Sequence, residues 1–206
     1  FRITQEIQNN SNKKVELHPY AQITRNQKPV IDARSMSGTL ILHDGFIGVF
    51  NEDLKEYDYD DIQDKKYGKE HNADDGWLGI TDKYWITALV PEKNQSFKGE
   101  FIYKSNSFKT NYILNKPVVI QPSSSKTSET RIFVAAKEVK VMDGYAESES
   151  INKFDLTIDW GWLYFLTKPL FFIISYLFEL TKNFGIAIIL VTAAVRILFF
   201  PLANYS

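Results

Sequence analysis

The chain has 206 residues, no cysteine and a formal net charge of −1 at neutral pH, and its length suits one or two domains. The absence of cysteine excludes disulfides, thiolate zinc sites and cysteine nucleophiles. The near balance of charge lacks the basic excess that nucleic-acid binding requires, so we expect no direct nucleic-acid partner.

Charge and hydropathy are unevenly distributed along the chain. The first 159 residues carry 21 Lys and Arg against 24 Asp and Glu, whereas the rest carries three basic residues and one acid in a mostly apolar segment. The N-terminus has no start methionine and no signal-peptide pattern, and the sequence stops just past an apolar helix. We therefore expect the chain to be an internal piece of a longer protein.

The pattern up to about residue 135 predicts β structure. Alternating apolar residues at 1–7 and 15–17 flank the turn-rich residues 9–12, which predicts a β-hairpin with a loop longer than two residues. Further strand candidates are rich in aromatic and β-branched residues. They lie at 38–43, 46–50, 77–80, 84–89, 97–103, 118–121 and 130–135. This spacing is typical of a sandwich or barrel.

Three other stretches have simple interpretations. The acidic stretch 52–75 lacks the sixth-position glycine and closing glutamate of a calcium loop, so we expect a solvated strand and loop, and no metal. The serine-rich stretch 123–128 lies between strand candidates, which favours a surface loop. Residues 136–147 contain good helix formers and a glycine near their end, which predicts a short helix closing the β domain.

From Trp160 onwards the composition becomes apolar and aromatic. Trp160, Trp162 and Tyr164 form a cluster typical of membrane interfaces. Around Pro169, which can open or kink a helix, the polar residues share one helical face and predict an amphipathic helix lying in the interface. These polar residues are Lys168, Ser175, Glu179 and Lys182. The alternative is a first transmembrane span, which would bury Lys168 or Glu179 near the membrane ends.

An apolar run at 184–202 contains a single charge, Arg196. At roughly 1.5 Å per residue it forms a helix of about 28 Å, close to the hydrocarbon thickness of a bilayer, so we predict a transmembrane helix. A charge there costs on the order of 2.5–3.5 kcal/mol, which favours a functional role. Thr192, four residues before Arg196, and Asn204, eight after it, extend a polar stripe that also includes Gly185.

Three interpretations of Arg196 fit the residue pattern. Its long side chain can bend towards the headgroups. It can face a water-accessible cavity within a helix bundle and attract anionic groups there. It can also pair with an acid on a helix that lies outside this chain.

The sequence contains no catalytic constellation. His18, His43 and His71 are scattered and belong to no zinc-protease motif, and neither a nucleophile elbow nor a phosphate-binding loop is present. We expect these histidines to be ordinary strand or loop residues. We therefore predict no enzymatic activity and no cofactor.

Several motifs together closely resemble the YidC membrane protein insertases of Gram-negative bacteria, within the YidC/Oxa/Alb family. The most specific motifs lie at 159–171 (DWGWLYFLTKPLF), 183–189 (NFGIAII) and 195–202 (VRILFFPL). Further similarity lies at 76–85 (GWLGITDKYW) and 136–139 (AKEV). The resemblance covers essentially the whole chain.

The resemblance implies a mainly β fold, part of a periplasmic β-supersandwich, followed by an interfacial amphipathic helix and one transmembrane helix. It divides the chain into a periplasmic β-sandwich portion at 1–135, a short helix and connector at 136–155, an interfacial helix at 156–182, and a transmembrane helix at 183–206. In the family this last element is the first helix of the insertase core. Residues 1 to about 155 would then be periplasmic, and the protein would reside in the bacterial inner membrane.

The resemblance also implies what the site does. Arg196, with Thr192 beside it, would line a hydrophilic groove that attracts polar parts of an incoming segment, while Trp160, Trp162 and Tyr164 anchor the interface. The implied partners are newly made membrane proteins and the lipid bilayer, with a Sec-type translocon and the ribosome as further ones. The groove needs several helices, so this chain would not insert proteins alone.

A different class of function competes with the insertase. The β domain resembles carbohydrate-binding and mutarotase-like folds, so a membrane-anchored sugar-binding protein is the alternative. Its stacking candidates are Trp77, Tyr84 and Trp85, which fit core positions equally well.

Overall fold

The computed structural model describes residues 1–28, 43–64, 68–161 and 163–204, with only the backbone described at 202–204. The chain divides into two compact units, Phe1–Asp159 and Trp160–Ser206. The first unit is mainly β and the second is helical.

The strands of the first unit are short and closely spaced. In chain order they are β1 (Arg2–Asn9), β2 (Val15–Leu17), β3 (Tyr20–Arg25), β4 (Gly45–Phe50), β5 (Asp53–Asp58), β6 (Lys69–Ala73), β7 (Gly76–Thr81), β8 (Trp85–Val90), β9 (Phe97–Lys104), β10 (Ser107–Leu114), β11 (Val118–Ile120) and β12 (Ser124–Ala136). The helices are α1 (Tyr59–Gln63), α2 (Val139–Ser148), a 3₁₀ turn (Phe154–Thr157), α3 (Tyr164–Thr181) and α4 (Phe184–Asn204).

The strands form two large antiparallel sheets and one small one. The six-stranded sheet has the order β1-β12-β8-β7-β4-β5, and the four-stranded sheet has the order β3-β10-β9-β6. Strands β11 and β2 form a separate pair. Because every residue of β4 and β7 is buried, both faces of the six-stranded sheet are covered at its centre.

Two apolar cores account for this double coverage. Between the sheets, Phe46 and Phe50 of β4 pack with Phe101 of β9. On the outer face of the six-stranded sheet, Trp77 of β7 packs with Phe154 of the 3₁₀ turn. Successive strand residues thus serve opposite cores, as the alternation of side chains in a strand dictates.

The fold class predicted from the sequence is confirmed, but the N-terminal hairpin is wrong. β1 pairs with β12, so that Arg2 lies opposite Arg131, and β2 pairs with β11. The amide of Asn9 donates to the carbonyl oxygen atoms of Ile120 at 3.0 Å and Gln121 at 3.2 Å. These bonds tie the end of β1 to a distant segment, and local turn propensity does not encode such a pairing.

The serine-rich stretch is also a correction, because it is strand rather than surface loop. Residues 124–128 form the start of β12 and pair with β1. Strands β3 and β10 were not predicted, since polar residues alternate with buried or half-buried ones along them. Strands β5 and β6 lie within the acidic stretch 52–75, where we expected a solvated strand and loop. The candidate strand at 38–43 lies outside the described residues except for His43, which lies in a connection.

A buried hydrogen bond joins the two sheets. The hydroxyl oxygen atoms of Tyr112 on β10 and Thr130 on β12 are 2.8 Å apart, and both residues are buried. On the neighbouring strand β9, a Cβ added at Gly99 would lie 2.6 Å from Cε1 of Phe50. The sheets therefore approach closely and are linked by a buried polar contact.

We predict that Tyr112→Phe lowers the free energy of unfolding by about 1–2 kcal/mol, because it leaves the Thr130 hydroxyl buried and unpaired. Urea unfolding of the chain in detergent, followed by circular dichroism, measures the change. The control is Tyr103→Phe, which removes an exposed hydrogen bond to Asn106 and should change little. Equal effects of the two substitutions would contradict the importance of the inter-sheet bond.

Candidate functional site

The connector that leads out of the first unit is fixed to the outer face of the six-stranded sheet. The indole N–H of Trp77 donates to the carbonyl oxygen of Asn152 at 3.1 Å. The rings of Trp77 and Phe154 meet edge-on with centroids 5.2 Å apart. The Thr157 hydroxyl donates to the carbonyl oxygen of Phe154 at 2.8 Å. The path of the chain towards Asp159 is therefore set by the fold.

A cluster of charged side chains surrounds the end of this connector. The carboxylate of Asp159 accepts a hydrogen bond from the backbone N–H of His43 at 3.3 Å. The Lys137 ammonium donates to the hydroxyl of Thr81 at 3.0 Å. Four acids act electrostatically on this ammonium: Asp44, Asp159, Asp82 and Glu56. We call these five charged residues the exit cluster.

Burial shifts the pKa of three members of the exit cluster. It lowers the pKa of Lys137, although the four acids oppose that change. Burial also raises the pKa of Asp44 and the pKa of Glu56. One carboxylate oxygen of Asp44 is buried with no hydrogen-bond partner among the described residues. Lys137 is therefore a buried cation shared by all four acids, two of which are themselves desolvated, and Asp82 also pairs with Arg25.

Sequence reasoning missed the exit cluster because its members come from distant segments. Asp44 precedes β4, Glu56 is on β5, Asp82 follows β7, and Lys137 follows β12. No fixed spacing relates them. The sequence feature that could have indicated the cluster is Asp159, because it is the last charged residue before the apolar segment.

We predict that Lys137→Met lowers the free energy of unfolding by about 1–3 kcal/mol, because the desolvated carboxylates of Asp44 and Glu56 lose a nearby cation. The substitution raises the pKa of Asp44 and Glu56 further. A carboxyl group whose folded-state pKa is raised weakens the fold while ionised, and this penalty is removed as pH falls through that pKa. The loss should therefore be larger at about pH 8 than at about pH 5.

Urea unfolding of the chain in detergent at both pH values tests this prediction. Lys126→Met is the control, since Lys126 is exposed near the opposite end of β12. A loss that does not depend on pH, or an equal loss in the control, would contradict the assignment of Lys137 as the shared cation.

In the second unit, α3 and α4 are joined by a tight connection. Lys182 adopts a left-handed conformation (φ 54°) and its N–H donates to the carbonyl oxygen of Phe178 at 2.8 Å. The side-chain oxygen of Asn183 accepts a hydrogen bond from the N–H of Ile186 at 3.2 Å. This is the geometry of a helix N-cap, which Asn favours. Both helices are long and apolar enough to cross a membrane.

An aromatic cluster lies at the start of α3. The ring of Trp160 meets those of Tyr164 and Phe171 edge-on, at 6.3 and 5.7 Å between centroids. The Lys168 ammonium lies 5.8 Å from the ring centroid of Trp160 and 5.5 Å from that of Tyr164. The Thr167 hydroxyl donates to the carbonyl oxygen of Trp160 at 2.9 Å. The structure thus brings two of the three predicted anchors together, whereas Trp162 lies outside the described residues.

The contact between α3 and α4 covers only one side of α4. Ala187 is fully buried and Val191 nearly so, and these two residues lie one turn apart on the same face. Every residue from 192 to 201 is exposed within the chain. At about 100° per residue, Thr192 and Arg196 lie on the side of the helix opposite Ala187.

The two predicted groove residues differ in how their polar atoms are engaged. The Thr192 hydroxyl donates to the carbonyl oxygen of Ile188 at 2.8 Å, so its own helix uses its proton. Arg196 has no hydrogen bond or ion pair with any residue that the structure describes. Asn204 belongs to α4, and its side chain is outside the described part. The uncovered half of α4 therefore carries an exposed cation.

The other candidates belong to the architecture. His18 contacts the carbonyl oxygen of Leu114 at 2.7 Å, His43 that of Phe46 at 2.9 Å, and His71 the hydroxyl of Tyr57 at 3.0 Å, as ordinary strand or loop residues do. Within the described ranges, no His, Asp and Glu side chains cluster in a way that could hold a metal ion.

The proposed sugar-stacking residues separate into two groups. Trp77 is fully buried in the outer core, so it is unavailable to a ligand. Tyr84 and Trp85 are exposed, and Trp85 borders a shallow cavity of about 190 Å³. The main charged groups of that cavity are Arg25 and Asp82, which pair with each other at 2.6 Å.

Comparison with known proteins gives a consistent result. The YidC periplasmic domain family matches residues 1–173. The membrane protein insertase YidC of Pelagibacter ubique (strain HTCC1062) is 50% identical over 206 residues, all of this chain and 36% of the relative. The insertases of the same name from Brucella melitensis and Rickettsia bellii are 40% and 39% identical, again over the whole chain and over 34% and 36% of their own lengths. The chain thus spans about a third of the length of these relatives.

Proposed function

The chain belongs to the YidC family of membrane protein insertases, and we propose that it supplies such an insertase with part of its periplasmic domain and its first core transmembrane helix. In this proposal Arg196 lies beside a water-filled groove and attracts polar or acidic parts of an incoming membrane protein. The activity belongs to the whole insertase, because the groove needs further helices.

The observation that carries the proposal is the uncovered half of α4. Arg196 has no partner among the described residues, and it lies on the side of α4 away from the contact with α3. A guanidinium left in hydrocarbon is costly, so such a residue normally faces a cavity or a partner. Because Arg196 lies near the middle of the helix, its side chain would have to extend far to reach the headgroups, which favours a groove.

The groove acts by replacing part of the hydrocarbon that a substrate must cross with water. A hydrophilic segment crossing a bilayer loses its hydration, whereas a wet groove shortens the apolar distance that it must cross. A positive charge in a medium of reduced dielectric attracts carboxylates more strongly than it would in water. The apolar part of the substrate then moves into the lipid. No covalent bond is formed or broken, so we propose a function that is not enzymatic and uses no cofactor.

The proposed topology follows the two units. Residues 1 to about 155 lie on the periplasmic side of the bacterial inner membrane, and α4 spans the bilayer. We propose that α3 lies in the interface, supported by the cluster of Trp160, Tyr164 and Lys168 at its start, since such rings favour the headgroup region. Its length and composition would also permit a span. Trp162 is the third proposed anchor.

The partners required by the proposal are newly made membrane proteins and the lipid bilayer. A Sec-type translocon and the ribosome are further partners, proposed from the family resemblance.

We predict that Arg196→Ala, introduced into the full-length insertase, slows insertion of single-span substrates with acidic translocated tails by about tenfold, or roughly 1.4 kcal/mol of activation free energy. Arg196→Lys should retain most of the rate, because it keeps the charge. The measurement is the rate at which the translocated tail becomes protected from protease in proteoliposomes.

The matched control is Lys182→Ala, which removes one positive charge at the end of α3, outside α4. The proposal fails if Arg196→Ala and Arg196→Lys both insert every tested single-span substrate at the wild-type rate. Several substrates are needed, since those without acidic tails should depend less on the charge.

A further inference from the structure

The tip between β7 and β8 presents two large aromatic side chains to the outside. Tyr84 is 64% exposed and Trp85 is 60% exposed. The ammonium of the adjacent Lys83 lies 5.1 Å from the ring centroid of Tyr84. Neither aromatic residue belongs to the two cores. Exposed aromatic groups of this size, next to one another, indicate a contact surface.

The tip is held in place by its backbone. The N–H of Asp82 donates to the carbonyl oxygen of Trp85 at 2.8 Å, which closes the turn. The N–H of Lys137 donates to the carbonyl oxygen of Tyr84, also at 2.8 Å. The two rings are therefore displayed on a fixed support, and a contact there requires little ordering of the backbone.

The tip lies at the end of the domain from which the chain continues into the apolar helices. Lys137, whose backbone holds Tyr84, belongs to the exit cluster together with Asp159. Asp159 is joined by a peptide bond to Trp160, the first residue of the second unit. The register supports the same placement, since Trp85 pairs with Ala136 at one end of β12 and Asn9 pairs with Ser124 at the other.

We propose that this tip is a second attachment to the bilayer, with Tyr84 and Trp85 in the headgroup region of the leaflet that the chain enters after Asp159. Lys83 then meets lipid phosphate. Tyr, Trp and Lys are the residues that favour this region, because each combines an apolar body with a polar end. With the tip attached, the orientation of the β domain is set at two points rather than by one connector.

A bilayer fits the tip better than a sugar does. A sugar site needs convergent polar groups around a stacking ring. In the cavity beside Trp85, the charged groups Arg25 and Asp82 bind each other, and Arg25 also donates to the carbonyl oxygen of Gln27 at 2.8 Å. The rings of Tyr84 and Trp85 are both largely exposed, so an extended surface can contact them without a pocket.

Spin labels test the proposal directly, because the chain has no cysteine and accepts single-cysteine labels. Tyr84→Cys carries the label at the tip, and Lys83→Cys provides a second position. The control is Ser125→Cys, an exposed site near the far end of β12, roughly 35 Å away along the strand. Each labelled full chain is reconstituted into phosphatidylethanolamine–phosphatidylglycerol vesicles, and collisions with oxygen and with a water-soluble nickel complex are compared.

The expected result is a severalfold loss of nickel accessibility at positions 83 and 84 relative to position 125, with oxygen accessibility retained. The proposal is overturned if positions 84 and 125 are equally open to nickel. It is also overturned if protection at the tip appears only after soluble glycans are added, which would assign the tip to sugar binding. A thermal unfolding curve for each variant confirms that the labelled chain is folded.

Discussion

A guanidinium in an apolar helix is the constraint on which the rest of the molecule depends. Arg196 keeps its charge and offers five N–H donors, so it needs water or an anion wherever α4 places it. The packing of α3 provides Arg196 with neither, because α3 covers only the Ala187 face near the start of α4. We therefore propose that the exposed half of the helix forms one wall of a polar space that further helices complete.

The β domain contributes a fixed exit for the chain. The outer core anchors the connector through Trp77 and Phe154, and the exit cluster holds Asp159 beside a desolvated lysine. The outer core thus does more than stabilise the six-stranded sheet, since it also determines where the chain leaves the domain. In our proposal, the aromatic tip at the same end gives the β domain a second attachment to the bilayer, in addition to the connector.

The sequence predicted those features that local pattern encodes. An apolar run with one charge identifies α4 and Arg196, and the aromatic cluster before Pro169 identifies the start of α3. Long-range pairing is not local, so β1 was assigned to a hairpin although its partner is β12, more than a hundred residues away. Strand β3 was not predicted because exposed polar residues alternate with half-buried ones along it, and the exit cluster was not predicted because it joins distant segments.

In our proposal, the second half of α4 borders water on one face in the complete insertase. A cysteine scan of the full-length protein in native membranes, with a water-soluble maleimide, measures this most directly. We expect labelling at positions 192, 196 and 199, which share the face of Arg196, and protection at 194 and 198 on the other side. Equal protection all around the helix would rule out the groove, because lipid or packed protein would then surround Arg196.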